Sequence, residues 1–511
     1  MSLSTSSADL NAGQRRRALD ELARERYDVI VVGGGVTGAG AALDAASRGL
    51  RTALVERHDL AAGTSRWSSK LVHGGLRYLA KGDLPIAYES ALERHHLMTT
   101  IAPHLVRPIR NIVPDTTLVE SVASTAGIVL ADGIRRAART PSSTLPPPRR
   151  VSAGRVHELV PAARAGLRGI LYSDGQLEDD ARLVTTLART AAAHGADVVT
   201  HCDAEPLDAD RVRLTDGLTG ETTEASGHVL LATGVWGGEH EPSIEVTPSR
   251  GTHLVLRAER LGSPTVQLSA PVPGHFGRFI FTIPISGDLV ILGLTDEPAP
   301  GADGIAPPVP ESDERFLLET MSSVLAEPLT SADVVGRFAG LRPLVRLKGA
   351  AARGGASADA SRKHLLIDEP DRPVTITGGK LTTYRHMAQD AIDAISRRVD
   401  REVTACRTTS LPLLGAAPAH LLHRVDAPAR LVRRYGTLAP DVAALADVHP
   451  SLAEPVALGC PTTGAELAYG VLHEGALTVA DLIERRTRVS FVEADVAPAT
   501  RVAERVLASL T

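Results

Sequence analysis

From Tyr27 to Val32 the chain is Val/Ile-rich, broken only by Asp28, and it stops at Gly33-Gly34-Gly35. A short apolar run bounded by glycine predicts a buried strand. Ala39 to Arg48 follows as a predicted helix, with Gly49 where a helix commonly ends. Arg51 to Val55 is a second short apolar strand. Strand, helix, strand over so short a span predicts a βαβ unit, because parallel strands need a crossover of this kind.

Residues 1–26, with early serines and then Arg15, Arg16 and Arg17, are expected to be a mobile tail leading into a short helix. Asp180 to His194 predicts a helix followed by a strand from Asp197, and His228 to Thr233 an apolar strand stopping at Gly234. Thr252–Leu256, Phe279–Ile283 and Leu289–Leu292 have the texture of antiparallel strands. Arg372 to Thr377 returns as a strand running into Gly378-Gly379, and Leu381 to Arg397 reads as a helix. After about residue 405 the pattern is Ala/Leu-rich and helical. The basic, proline-rich stretch from Arg135 to Arg150 is expected to be an exposed loop or insertion. No internal repeat is visible.

The expected organisation is α/β. A Rossmann-like dinucleotide-binding domain (about 27–105, 150–240 and 365–400) is interleaved with an antiparallel-sheet substrate domain (about 106–149 and 241–364). A helical domain (405–511) completes the chain. At 511 residues there is ample volume for two or three cores. A net charge of −5 gives no reason to expect nucleic acid as the main partner. The three cysteines, Cys202, Cys406 and Cys460, lie far apart, which excludes a zinc ribbon or disulfide framework and fits a reducing cytosol. No histidine has partners at ligand spacing, so no metal site is expected. The longest apolar stretch, Val122 to Ala131, is too short to span a bilayer. A cytoplasmic protein is expected, with peripheral attachment to the inner face of the cell membrane through Arg135, Arg136, Arg139, Arg149 and Arg150 as a hypothesis.

Gly33-x-Gly35-x-x-Gly38 gains its meaning from context: a strand before, a helix after, and Glu56 at the end of the next strand. The glycines permit the tight turn, close backbone approach to a pyrophosphate, and tight helix packing. The helix N-terminus offers N–H groups to phosphates, and the Glu56 carboxylate accepts from ribose hydroxyls while repelling a 2′-phosphate. Past Glu56 comes a dense run of glycines and small hydroxyl residues, from Gly63-Thr64-Ser65 through Ser68-Ser69-Lys70-Leu71 to His73-Gly74-Gly75. Backbone of that kind suits packing against a large flat ring. Gly234-Val235-Trp236 and Gly379-Lys380-Leu381-Thr382 are two further strand-to-glycine stops. Three such loops favour bound FAD over an exchangeable nicotinamide.

At these residues the chain resembles the FAD-dependent glycerol-3-phosphate dehydrogenases, within the wider D-amino-acid-oxidase-like group. The match runs through Val31–Gly40, Thr64-Ser65, Ser68–Leu79, Asp179–Leu183, Gly251-Thr252-His253, Gly293–Asp296, Gly340–Leu344 and Gly378–Arg385, in the family's order. The resemblance implies oxidation of sn-glycerol 3-phosphate to dihydroxyacetone phosphate by hydride transfer to FAD, with electrons passing to quinone. It implies substrate contacts at Arg77, Tyr78, Arg342, Arg362 and Lys380, with Arg342 and Lys380 as catalytic cations; His253 is the candidate base, with a hydrogen-bonded structural histidine as the alternative reading. Those residue types suit such a reaction, since guanidinium grips a phosphate bidentately and imidazole titrates near working pH. Lysine occurs only at positions 70, 81, 348, 363 and 380, so Lys70 and Lys380 inside glycine motifs suggest a need for a compact ammonium. Two departures from the family pattern stand out: Ile285-Ser286 after Pro284, where an aromatic residue is usual, and Arg250 in place of lysine before Gly251. The alternatives are a glycerol-3-phosphate oxidase that makes hydrogen peroxide, and another FAD-dependent hydroxy-acid or amine oxidase. Oligomeric state is not encoded legibly; a homodimer is compatible with the sequence.

Overall fold

A computed structural model describes residues 8–75, 83–115, 118–275, 277–348 and 364–510, without the side chains of 118–124. The first apolar run is β1 (Arg26–Val32), flanked in parallel by β2 (Thr52–Val55) and β10 (Thr222–Leu231). Outside β2 lies β7 (Asp197–Val199), and outside β10 lie β18 (Val374–Gly378) and then antiparallel β17 (His364–Ile367). β8 (Cys202–Pro206) and β9 (Arg211–Asp216) extend this sheet as a hairpin on β10. Parallel strands are buried on both faces, and β2 is buried at every position.

The Val36–Ser47 helix lies on this sheet, with the Asp180–Ala193 and Tyr384–Ser396 helices against it. Its small residues permit the fit: a Cβ at Gly40 would sit 2.7 Å from the Tyr384 ring. All but Thr37 of this helix is buried, which explains why it lacks an amphipathic stripe.

The second sheet is largely antiparallel. Its order is β15 (Glu297–Pro298), β11 (Ile244–Arg257), β14 (Leu289–Gly293), β13 (Phe279–Ile285), β12 (Gln267–Pro271), β4 (Val106–Pro114), β6 (Gly169–Leu177) and β3 (Leu71–Val72). β16 (Val334–Leu347) pairs with β11 along nearly its whole length, and β5 (Arg149–Val151) pairs with β6. Beyond residue 405 the chain is helical, with the Gly464–His473 and Glu493–Leu510 helices enclosing a separate apolar core.

Three expectations are corrected. The segment 150–177, assigned to the dinucleotide domain, belongs to the second sheet through β5 and β6. The basic stretch is not one loop: Arg135 ends the Leu118–Ala137 helix with its buried guanidinium on Asp132 (2.6 Å), and Arg149-Arg150 begin β5. Residues 8–25 are docked. The Ala12–Leu22 helix is capped by Asn11 and anchored by buried Arg15, whose guanidinium lies 2.6 Å from Asp216 and whose Nε donates to the Thr200 carbonyl at 2.7 Å. Just before it, Leu10 exchanges backbone hydrogen bonds with the C-terminal domain, donating to His473 (3.2 Å) and accepting from Gly475 (2.8 Å).

Burial next to Arg182 pushes the His104 imidazole down to about 3. Below pH 6.5 the unfolded chain therefore binds a proton that the folded protein refuses. Stability falls with pH by about 1.4 kcal/mol per unit until that lower value is reached. Urea denaturation at pH 7 and pH 5 is expected to show this loss, and His104→Leu to reduce it by about 2 kcal/mol.

Candidate active site

The dinucleotide loop is shaped by contacts that leave no room for side chains. Gly33 has φ +111°, and a Cβ there would meet the Ala232 carbonyl oxygen at 2.6 Å. At Gly38 a Cβ would lie 1.8 Å from the Gly33 carbonyl oxygen. No side chain caps the helix at Gly35, and the Val36 N–H donates to Ser65 Oγ at 2.9 Å. Glu56 ends β2 with its carboxylate accepting from the backbone N–H groups of Gly34 (2.5 Å) and His58 (2.8 Å). Burial raises its pKa above the usual carboxylate range. The donor set is backbone N–H at a helix N-terminus, beside a buried carboxylate acceptor. That chemistry fits the pyrophosphate and adenosine ribose of FAD.

From this loop residues 63–70 run across to the second sheet. Thr64 Oγ1 donates to the Leu341 carbonyl at 2.6 Å, and Trp67 lies so close over Gly340 that a Cβ there would meet its own at 2.4 Å. Trp236 covers Gly63 and Gly304, with built Cβ positions 2.8 and 2.5 Å from its ring; Gly234 turns the chain into it with φ +58°. Arg66 and Trp67 lie between this loop and the C-terminal domain. The buried Arg66 guanidinium lies 2.5 Å from Glu484 of the C-terminal domain, and the Trp67 indole donates to the Ile305 carbonyl at 2.7 Å.

Lys70, expected to serve the cofactor, turns its ammonium into the protein. It donates to Asp180 at 2.8 Å and to the carbonyls of Ser68 (3.1 Å) and Arg66 (3.2 Å). The Ser68 N–H and hydroxyl also reach Asp180, each at 2.8 Å. Burial pushes the Lys70 ammonium down to about 8. Despite its own burial, Asp180 is held below its ordinary range by Lys70 and Arg488.

Between Ser68 and Lys70, Ser69 points the other way: its Oγ lies 2.8 Å from His253 Nε2. His253 sits on β11 opposite Gly293 of β14 and Phe338 of β16. Its ring stacks on Phe338 with centroids 4.7 Å apart and leans over Gly293, where a Cβ would meet Cδ2 at 2.3 Å. The residue is 1% exposed. Burial, with Lys70 and Arg342 nearby, holds the imidazole well below its ordinary pKa, so it is neutral at working pH. Arg342 reaches from β16 over Gly251, where a Cβ would touch Nη2 at 2.4 Å, and contacts Asp296 at 3.2 Å. Gly251 and His253 share one face of β11. Arg342 and His253 thus lie over the same face of β11.

The remaining expected residues fall into two groups. Lys380, preceded by Gly379 (φ +71°), donates to Ser90 Oγ at 3.0 Å and leads into the Leu381–Thr383 turn, in which Thr382 is buried. Leu71 and His73-Gly74 follow the Ser69 turn into β3; the Gly74 N–H donates to Asp174 at 3.1 Å, and a Cβ there would meet Arg94 at 2.4 Å. Arg77, Tyr78 and Arg362 lie outside the described residues. Of the sequence departures, Arg250 is held by Asp313 at 3.0 Å, and the Ser286 hydroxyl donates to Glu178.

Sequence reading missed the residues that hold the Ser69 turn from behind. Arg488 donates to the Arg66 carbonyl at 2.5 Å and lies 4.2 Å over the Phe491 ring. Asp59 binds Arg486 through both oxygens (2.7 Å each) and Arg485 (2.7 Å). Asp59, His201 and Asp481 cluster like metal ligands, but these arginines already occupy both carboxylates. The only sequence signal was Asp179-Asp180, an acidic pair opening a helix.

A family profile described as FAD dependent oxidoreductase matches residues 28–366, and one described as the C-terminal domain of alpha-glycerophosphate oxidase matches residues 406–511. The chain is 46% identical to glycerol-3-phosphate dehydrogenase 1 of Mycobacterium tuberculosis over 98% of this chain and 99% of that protein. It is 33% identical to a mitochondrial glycerol-3-phosphate dehydrogenase of Arabidopsis thaliana, covering 98% and 85%. The crystal structure of the Bacillus halodurans glycerol-3-phosphate dehydrogenase complexed with FAD superposes with a TM-score of 0.75 at 26% identity, covering 98% of this chain and 93% of that one. The L-alpha-glycerophosphate oxidase of Mycoplasma pneumoniae (TM-score 0.56, 17% identity, 76% and 99% covered) shares the fold. With its glycine cradle, buried acceptor carboxylate and converging His253 and Arg342, the chain belongs to the FAD-dependent glycerol-3-phosphate dehydrogenase family.

Proposed function

We propose that the protein oxidises sn-glycerol 3-phosphate at C2 to dihydroxyacetone phosphate and delivers the electrons to a respiratory quinone. The observation that carries this reading is the pairing of a neutral, sealed imidazole with a half-exposed guanidinium, cleared by glycines on one sheet face. Bound FAD supplies the hydride acceptor. His253 takes up the 2-hydroxyl proton, for which a neutral ring is the required form. Arg342 steadies the developing alkoxide and draws in the phosphate, assisted by Lys380 and, on the family's pattern, by Arg77, Tyr78 and Arg362. The glycine-rich backbone of residues 63–67, 73–74 and 378–382 lines the flavin.

A quinone acceptor calls for contact with a membrane, although no helix among the described residues is long and apolar enough to cross one. The Leu84–His96 and Leu118–Ala137 helices pack through Ile86, Ala87, Ala131 and Ile134 and leave Leu84, Tyr88, Val129 and Leu130 exposed. Arg136, Arg139, Arg149 and Arg150 remain at the surface, whereas Arg135 is withdrawn by burial. Each surface arginine contributes roughly 1 kcal/mol near anionic lipid.

Anaerobic addition of glycerol 3-phosphate is expected to bleach the flavin spectrum, and an unbleached holoenzyme would overturn the proposed activity. Steady-state turnover is expected to depend on a quinone analogue; equal turnover with oxygen alone, with peroxide formed, would make the protein an oxidase. Arg342→Ala is expected to raise KM roughly 10- to 100-fold, the loss of a charged hydrogen bond of about 1.5–3 kcal/mol, with flavin content unchanged. Binding to anionic vesicles is expected to fall at least about tenfold in Leu130→Glu combined with Arg136→Glu.

A further inference from the structure

His253 is an awkward direct base. Its ring is 1% exposed, with one face covered by Phe338 and its edge over Gly293. A substrate oxygen outside this enclosure needs a carrier to bring its proton to the ring. Of three consecutive polar residues, Ser68 is tied to Asp180 and Lys70 turns inward, while Ser69 is partly exposed and puts its Oγ 2.8 Å from His253 Nε2.

We propose that Ser69 is a catalytic residue, a hydroxyl relay that accepts the substrate's 2-hydroxyl proton while passing its own proton to Nε2 of His253. This rests on the reaction proposed above. As the O–H bond breaks and C2=O forms, the hydrogen on C2 leaves with both electrons to FAD. The substrate is oxidised by two electrons and the cofactor is reduced by two. Ser69 is unchanged, and His253 carries one proton, returned to water by the same route before the next turnover.

Three features prepare the relay. The hydroxyl is held from behind: Lys70, at φ +57°, anchors its ammonium on Asp180 and on the Ser68 and Arg66 carbonyls, and Arg488 secures the Arg66 carbonyl again. The charged groups facing the imidazole, Lys70 and Arg342, favour its neutral, proton-accepting form; the nearby Gly251 carbonyl opposes them weakly, and no hydrogen bond of normal geometry reaches Nδ1. Arg342 lies over Gly251 on the face of β11 that carries His253, placed to steady the oxygen that gives up the proton.

The test is anaerobic stopped-flow reduction of the holoenzyme by glycerol 3-phosphate. Ser69→Ala is expected to slow flavin bleaching about 10²- to 10³-fold, the range of a lost proton-transfer group. The substrate concentration for half-maximal reduction should change less than about threefold, because the relay acts on the proton and not on binding. Ser69→Thr, which keeps a hydroxyl, should recover to within about tenfold of the wild type. Two protons in flight should give wild-type enzyme a curved dependence of rate on the deuterium fraction of the solvent. Bleaching in Ser69→Ala within about threefold of the wild type, or failure of threonine to restore a folded, flavin-loaded variant, would overturn the relay alone. So would loss of most flavin from Ser69→Ala, which would mark Ser69 as a cofactor contact. A wild-type enzyme that is not bleached would overturn the proposed reaction, and the relay with it.

Discussion

The ion pair between Lys70 and Asp180 is the constraint from which the site hangs. An ammonium and a carboxylate removed from water are tolerable only when paired and further hydrogen-bonded, and both are. Asp180 also takes two hydrogen bonds from Ser68, and Lys70 two carbonyls, so the pair organises backbone as well as charge. Because Ser69 sits between the two anchored residues, it has one direction left to face. The dinucleotide loop, the second sheet and the C-terminal domain all meet at this turn.

The C-terminal domain is therefore part of the active site's frame rather than an appendage. Glu484 and Arg488 grip Arg66, Phe491 continues the stack begun by His253 and Phe338, and Arg182 and Glu474 pair across the same boundary. Nearly all these cations are arginines. A planar guanidinium satisfies two or three acceptors at once and is weakly hydrated, so burying it costs less than burying an ammonium. The shortage of lysine noticed in the sequence has this physical counterpart, with Lys70 the buried exception.

Local signals were legible and long-range ones were not. β1, its glycine turn and the following helix could be read because apolar period, glycine placement and Glu56 all agree within 30 residues. His253 and Arg342 could be named only through resemblance, since nothing local says that β11 and β16 pair with Ser249 opposite Arg342. The partner of Lys70 lies 110 residues away, and that of Arg15 lies 201, so one lysine read as a cofactor ligand and one arginine as tail. β5 was invisible for another reason. It is three residues long, two of them exposed arginines, and an edge strand of that length has no period to detect.

The backbone bridge between Leu10 and the Glu474 region joins the segment before the Ala12–Leu22 helix to the C-terminal domain. During synthesis Leu10 must wait until His473 and Gly475 have been made before this junction can close. Until then the Ala12–Leu22 helix has its Asp216 anchor but lacks the cover beyond Leu10. A chain translated as far as the Tyr384–Ser396 helix thus holds a nearly finished dinucleotide fold with one seam unsealed until residue 475 has been made.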